Sequence, residues 1–194
     1  MRLPKSRYAL FFALAIIGVL VDLGTKTYMF ESYFDPEIIN QPQQPHWLID
    51  GVFGFQCSTN PGALFGIGRG LSWLFAGLSF VALAGIITWL FVFKAAWDRW
   101  ITAALGLISG GILGNLYDRL GFGYCEGYPE HIRTNVRDWI LFRLDGVPMF
   151  DPWPNFNIAD SLLVCGAIML LAHAIFVGEP RTPEQSSNTG ETDE

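Results

Sequence analysis

Hydrophobic positions in this chain come in four long blocks rather than in short alternating runs. Positions 8–28 are apolar except for Asp22, Lys26 and small polar residues, while 71–93, 100–117 and 161–177 hold no Asp, Glu, Lys or Arg. A helix needs about 20 residues to cross about 30 Å of hydrocarbon, so 71–93 spans unaided and the other blocks draw on their flanks. The pattern predicts membrane helices at about 8–28, 71–93, 100–117 and 158–177. The short turn at 95–99 makes the second and third an antiparallel hairpin. The first block follows Arg2, Lys5 and Arg7, as a signal peptide would. It runs past the usual length of such a segment and ends without a small-x-small cleavage site, so it reads as a retained helix.

Two outer segments, 31–70 and 119–157, separate these helices. Positions 35–45 hold three prolines and read as irregular loop, whereas 46–58 is rich in aromatic and aliphatic residues broken by Gly, which predicts short bent strands. Positions 121–135 read as an exposed insertion, 136–142 (VRDWILF) as a short apolar stretch with Asp138 inside it, and Asp151-Pro152-Trp153-Pro154 as a stop before the fourth helix. The expected fold class is therefore an α-helical polytopic membrane protein, with four transmembrane helices and a small β-rich extracytoplasmic layer. Residues 1–178 would form one membrane domain. Residues 179–194, with Glu179, Glu184, Glu191, Asp193 and Glu194 among Ser, Thr and Pro, would be a disordered cytoplasmic tail.

Composition agrees with this reading. The chain is 51% hydrophobic and only 15% charged, with a mean hydropathy of +0.33, too apolar for an average soluble domain. The net charge of −6 owes much to the tail, and there is no basic patch for nucleic acid. Arg2, Lys5, Arg7, Lys94, Arg99 and Arg181 favour both termini inside, against Arg69, Arg119, Arg133, Arg137 and Arg143 in the outer segments. The first helix and the tight basic turn decide for cytoplasmic termini. Cys57, Cys125 and Cys165 make no metal framework, and a Cys57–Cys125 disulfide stays open.

Threading the helices alternately puts Asp22, Asp118 and Asp160 near one face, with Asp138 in the loop on that face. Ionisable groups at membrane depth are costly, so their clustering marks a site. Asp22 and Lys26 share a helix face at i, i+4 and read first as a structural ion pair, with Lys26 snorkelling outward. Asn115, Asp118 and Arg119 close the third helix, either as a headgroup anchor or as part of a site. Asn157 fits an N-cap with Asp160 at the third helical position, and a functional role competes evenly with that. Asp138 has no capping logic. If Asp138 and Asp160 meet, like charges at close range cannot both ionise and they would share a proton, as in aspartic proteases.

The set Asp22-x-x-x-Lys26, Asn60-x-Gly62-Ala63-x-Phe65, Gly114-Asn115-x-x-Asp118-Arg119, Val136-x-Asp138-Trp139-Ile140 and Phe156-Asn157-x-Ala159-Asp160-Ser161 resembles the lipoprotein signal peptidases (type II signal peptidases). The resemblance covers roughly 8–177. It implies a bacterial inner-membrane aspartic endopeptidase, its active site at the extracytoplasmic face. Such an enzyme removes the signal peptide of prolipoproteins by cutting before a diacylglyceryl-modified cysteine. Asp138 and Asp160 would be the catalytic pair. Asp22, Lys26, Asn60, Gly62, Asn115, Asp118, Arg119, Asn157 and Ala159 would shape and brace the site, and the 46–58 segment would cradle substrate. No metal or organic cofactor is implied. The partners would be diacylglyceryl-modified prolipoproteins and membrane lipids, and the chain would act as a monomer.

Three departures from the family pattern stand out: the inserted 121–135 segment, Trp139 in place of the more usual phenylalanine, and Pro61 in the Asn60–Gly62 turn. The insertion leaves Asp145 and Asp151 as fallback candidates to Asp138. The rival function is a proton-coupled carrier or small channel, which predicts acids near the midplane and repeated halves. Here the acids fall at one edge and no repeat is present.

Overall fold

A computed structural model describes residues 2–38, 43–62, 68–124, 128–147, 151 and 153–176. Among the described residues, four helices are long and apolar enough to cross a membrane. They are α1 (Lys5–Tyr33), α2 (Ser72–Ile87, continued by a π-turn Thr88–Val92), α3 (Arg99–Arg119) and α4 (Ile158–Phe176). α3 is the central helix, with over half of its span buried against the others, while α2 and α4 present most of their surface outward. That position follows from its glycines. A Cβ on Gly111 would run into the carbonyl of Ala159 in α4, and one on Gly114 into the carboxylate of Asp22 in α1. Small residues let helix backbones approach where no hydrophobic force drives them together.

The turn between α2 and α3 is tight enough to place Lys94 in the left-handed region, at φ 64°. Asp98 then caps α3, its Oδ1 accepting from the amides of Trp100 (2.7 Å) and Ile101 (3.1 Å). His173 of α4 lies 2.7 Å from the other Asp98 oxygen and ties the two helices at this end.

At the opposite end, the α1–α2 and α3–α4 connections join in one four-stranded antiparallel sheet of order β1-β2-β3-β4. Its strands are β1 (His46–Ile49), β2 (Phe53–Asn60), β3 (Val136–Phe142) and β4 (Trp153–Phe156). β4 corrects the expectation that 151–154 merely halts the chain. Trp153 pairs with Phe142 and Phe156 with Ile140, and Pro154 is tolerated because β4 is an edge strand, where a missing amide leaves no ladder bond unmade. Met29, Phe30, Cys57, Trp139 and Ile140 form the cluster that seats the sheet on the end of α1. The 179–194 tail, Cys125, Ala63 and Phe65 lie outside the described residues.

Candidate active site

The register of β2 with β3 sets Ser58 opposite Asp138 and Asn60 opposite Val136, which brings the loop after β2 beside the acid. The third contributor is the start of α4. Asn157 precedes it, and the amide of Asp160 donates to Asn157 Oδ1 (2.9 Å) while the Asn157 amide donates to Asp160 Oδ2 (3.2 Å). This is a reciprocal capping box, with an aspartate where Glu or Gln is commoner. Capping and function are thus met by the same residues, because the cap also aims the Asn157 side chain. Its Nδ2 donates to Asp138 Oδ1 at 2.6 Å. One residue therefore touches both Asp138 and Asp160.

The brace beneath the pair comes from α1 and α3. Lys26 is fully buried, and its ammonium reaches three acceptors: Asp22 Oδ2 at 2.8 Å, Asp118 Oδ2 at 3.1 Å and Asn115 Oδ1 at 2.9 Å. The expectation that Lys26 snorkels outward is overturned. Three inward acceptors replace its water shell, and two of them are charged, which is what a buried ammonium requires. Because Asn115 Oδ1 faces Lys26, its Nδ2 must face the other way, and it donates to Asp160 Oδ1 at 2.9 Å. Asp22 uses its second oxygen to accept from the Ala159 amide at 2.8 Å, so α1 holds the first turn of α4. Ala159 is completely buried, with its methyl against Gly114.

Asn60 accepts from the Gly62 amide at 3.0 Å, a local turn that holds the loop after β2. The Asn60 side chain also favours the charged form of Asp138. Arg119 does not pair with Asp118. Its Nη2 donates to the Gly62 carbonyl at 2.9 Å, and its guanidinium lies 5.2 Å from the centre of the Phe75 ring, which links α3, the loop after β2 and α2.

The electrostatics at Asp138 follow from this packing. Burial, and then the Asp160 charge, push the Asp138 carboxyl well above the usual range, against the opposing effects of Lys26, Asn157 and Asn60. Asp138 therefore holds a proton where an exposed aspartate would have lost it. Asp145 is exposed, and Asp151 forms only a loose, half-exposed contact with Arg143 (3.6 Å). Neither fallback acid reaches the cluster. Cys57 is no nucleophile: burial pushes its thiol up to about 12, and its Sγ donates to the Met29 carbonyl.

Arg137 was absent from the expected set. It is 3% exposed and contacts both oxygens of Asp118. A charge count offered a signal for it. Asp22 and Asp118 at membrane depth have one lysine between them, so one cation is owed.

Beside the acids opens a groove of about 840 Å³, mostly apolar, between α2, α3 and α4. Phe75, Leu78, Ile112, Leu163 and Val164 line its length, and Asn60, Asn115, Arg119 and Asp160 its polar end.

Residues 14–176 match the model of the family described as Signal peptidase (SPase) II. The chain belongs to the signal peptidase II family. It is 51% identical over 171 residues to the lipoprotein signal peptidase of Rhodopirellula baltica, a match covering 88% of this chain and 74% of the relative. The lipoprotein signal peptidase of Rhodococcus jostii is 32% identical over 175 residues, covering 90% and 77%. A solved bacterial membrane enzyme superposes with a TM-score of 0.67 at 22% identity, covering 95% of this chain and 93% of the other, and shares the fold. The family is one of aspartic endopeptidases. With its four apolar helices and its bacterial relatives, this member of the signal peptidase II family is a bacterial multi-pass membrane protein.

Proposed function

We propose that this chain removes the signal peptide of diacylglyceryl-modified prolipoproteins, cutting just before the lipidated cysteine, with Asp138 and Asp160 as the catalytic pair. The observation that carries this reading is the Asn157 bridge, which touches both acids, with Asp160 at the polar end of an apolar groove and Asp138 buried behind it. Asp138 supplies the proton and Asp160 is the base. Asp160 takes a proton from a water between them as that water attacks the scissile carbonyl, and Asp138 protonates the carbonyl oxygen. The tetrahedral diol then collapses. One hydroxyl proton returns to Asp138, the proton on Asp160 passes to the leaving cysteine nitrogen, and the C–N bond breaks. The signal peptide leaves as a carboxylic acid and the mature protein with a free amine, so the pair ends in its starting protonation state.

The groove accounts for a lipid requirement. Each buried CH₂ of an acyl chain contributes about 0.8 kcal/mol, so two chains outweigh what a short peptide can offer. Both termini lie on the cytoplasmic side, the pair lies at the outer surface, and a single chain suffices for catalysis. Purified protein given the same prolipoprotein with and without the diacylglyceryl group tests this. Mass analysis is expected to find cleavage before the modified cysteine alone. Equal cleavage of the unmodified form, or a cut elsewhere, would sink the reading.

A further inference from the structure

We propose that Arg137, packed under Gly123 and Tyr124 of the inserted segment, is a positioning residue that acts on the catalytic pair through Asp118 and Lys26. This rests on the reading of Asp138 and Asp160 as that pair. The contact between Arg137 and Asp118 is unusually complete. The Arg137 amide donates to Asp118 Oδ2 at 3.1 Å, and Nε and Nη2 reach Oδ1 at 3.0 and 2.9 Å. Both partners are nearly or fully buried. An arginine fork can hold a carboxylate in one orientation, where a lysine supplies only a point charge.

The consequence runs along one chain of contacts. With Arg137 satisfying Asp118, the carboxylate presents Oδ2 to Lys26, whose remaining proton sets the direction of the Asn115 amide and so its donation to Asp160. On the other side, the Arg137 carbonyl accepts from Asn157 Nδ2 at 3.3 Å, the same group that donates to Asp138. Arg137 thus connects to both acids through intervening residues, to Asp160 by way of Asp118, Lys26 and Asn115 and to Asp138 by way of Asn157.

The insertion completes the arrangement. A Cβ on Gly123 would collide with Asp118 Oδ1 and lie 2.9 Å from Nε and Nη2 of Arg137, so that stretch of backbone lies directly on the ion pair. The rings of Tyr124 and Phe30 stand 5.8 and 5.9 Å from the guanidinium carbon. The Gly123 backbone and these two rings therefore leave Arg137 only 3% exposed and Asp118 fully buried, a setting where charge–charge contacts gain strength.

The test measures kcat and KM against pH for the purified full chain cleaving diacylglyceryl-modified prolipoprotein. Arg137→Met, Arg137→Lys and Gly123→Ala are compared with wild type, and Asp138→Asn runs in parallel. Arg137→Met should lower kcat by about tenfold or more at unchanged KM. It should also move the alkaline limb of kcat upward, since the unpaired Asp118 charge makes Asp138 hold its proton to higher pH. Arg137→Lys should recover part of both changes. Wild-type kcat and pH profile in Arg137→Met would overturn the proposal. So would a loss that tracks only the amount of folded protein while the pH limb stays in place. If Arg137→Met does not fold, Arg137→Lys and Gly123→Ala must each show a smaller shift of the same sign, and no shift in either overturns it. Near-normal cleavage by Asp138→Asn would instead remove the catalytic pair itself, whatever Arg137 does.

Discussion

Asp138 keeps its proton to a higher pH than an ordinary aspartate because burial, followed by the Asp160 charge, disfavours its carboxylate. Between the unfolded value near 3.9 and the raised native value, the folded chain binds more protons than the unfolded one. Stability therefore falls as pH rises through that window. Asp138→Asn removes the penalty. The variant is expected to melt at or above the wild-type temperature at pH 7, with the difference shrinking toward pH 4, while cleavage falls by about a thousandfold. A large loss of melting temperature at pH 7 would contradict the burial of a costly proton site. Lys26 predicts the opposite pattern. Lys26→Met strands Asp22 and Asp118 at membrane depth and should cost about 3–5 kcal/mol in chemical unfolding, together with activity. Sequence spacing was enough to pair Asp22 with Lys26, because i and i+4 share a face. It could not tell which way Lys26 points, since the deciding acceptors, Asn115 and Asp118, come from another helix. Spacing could not pair Arg137 either, because its partner lies 19 positions away, and only the charge count pointed to a second cation.

Among the elements, α3 carries the strictest steric demand. Gly111→Ala puts a methyl into the backbone of α4, and overpacking of this kind costs about 1–3 kcal/mol. Gly77 of α2 meets nothing within 4 Å, so Gly77→Ala should be neutral or stabilise by about 0.5–1 kcal/mol. Unfolding both variants in one detergent checks the contrast, and equal effects would mean α3 is not the close-packed centre. The four helices were legible because each is a long apolar block whose length alone decides its state. β3 was visible as an apolar stretch, and β1 and β2 as aromatic runs. β4 was not, because Pro152 and Pro154 argue against a strand unless its edge position is known, and edge position is a property of the whole sheet.

For the whole molecule, every acid that matters lies at the sheet end of the bundle, which separates this chain from a carrier with acids at the midplane. The proposed orientation makes that end extracytoplasmic. A cysteine introduced at Asp50, between β1 and β2, should react in intact cells with a membrane-impermeant thiol reagent above the background of the unsubstituted chain. One at Lys94 should react only after permeabilisation. The reverse pattern would invert the topology and remove the site from its substrate.

The claim on which the rest depends is that Asp138 and Asp160 together activate water. The most direct measurement is single-turnover cleavage of a diacylglyceryl-modified prolipoprotein by wild type, Asp138→Asn and Asp160→Asn, each verified as folded by its melting curve. Both variants are expected to bind the substrate and leave it uncut while wild type releases the signal peptide. A folded variant that cleaves at a rate near wild type would show that its aspartate is not part of the catalytic pair.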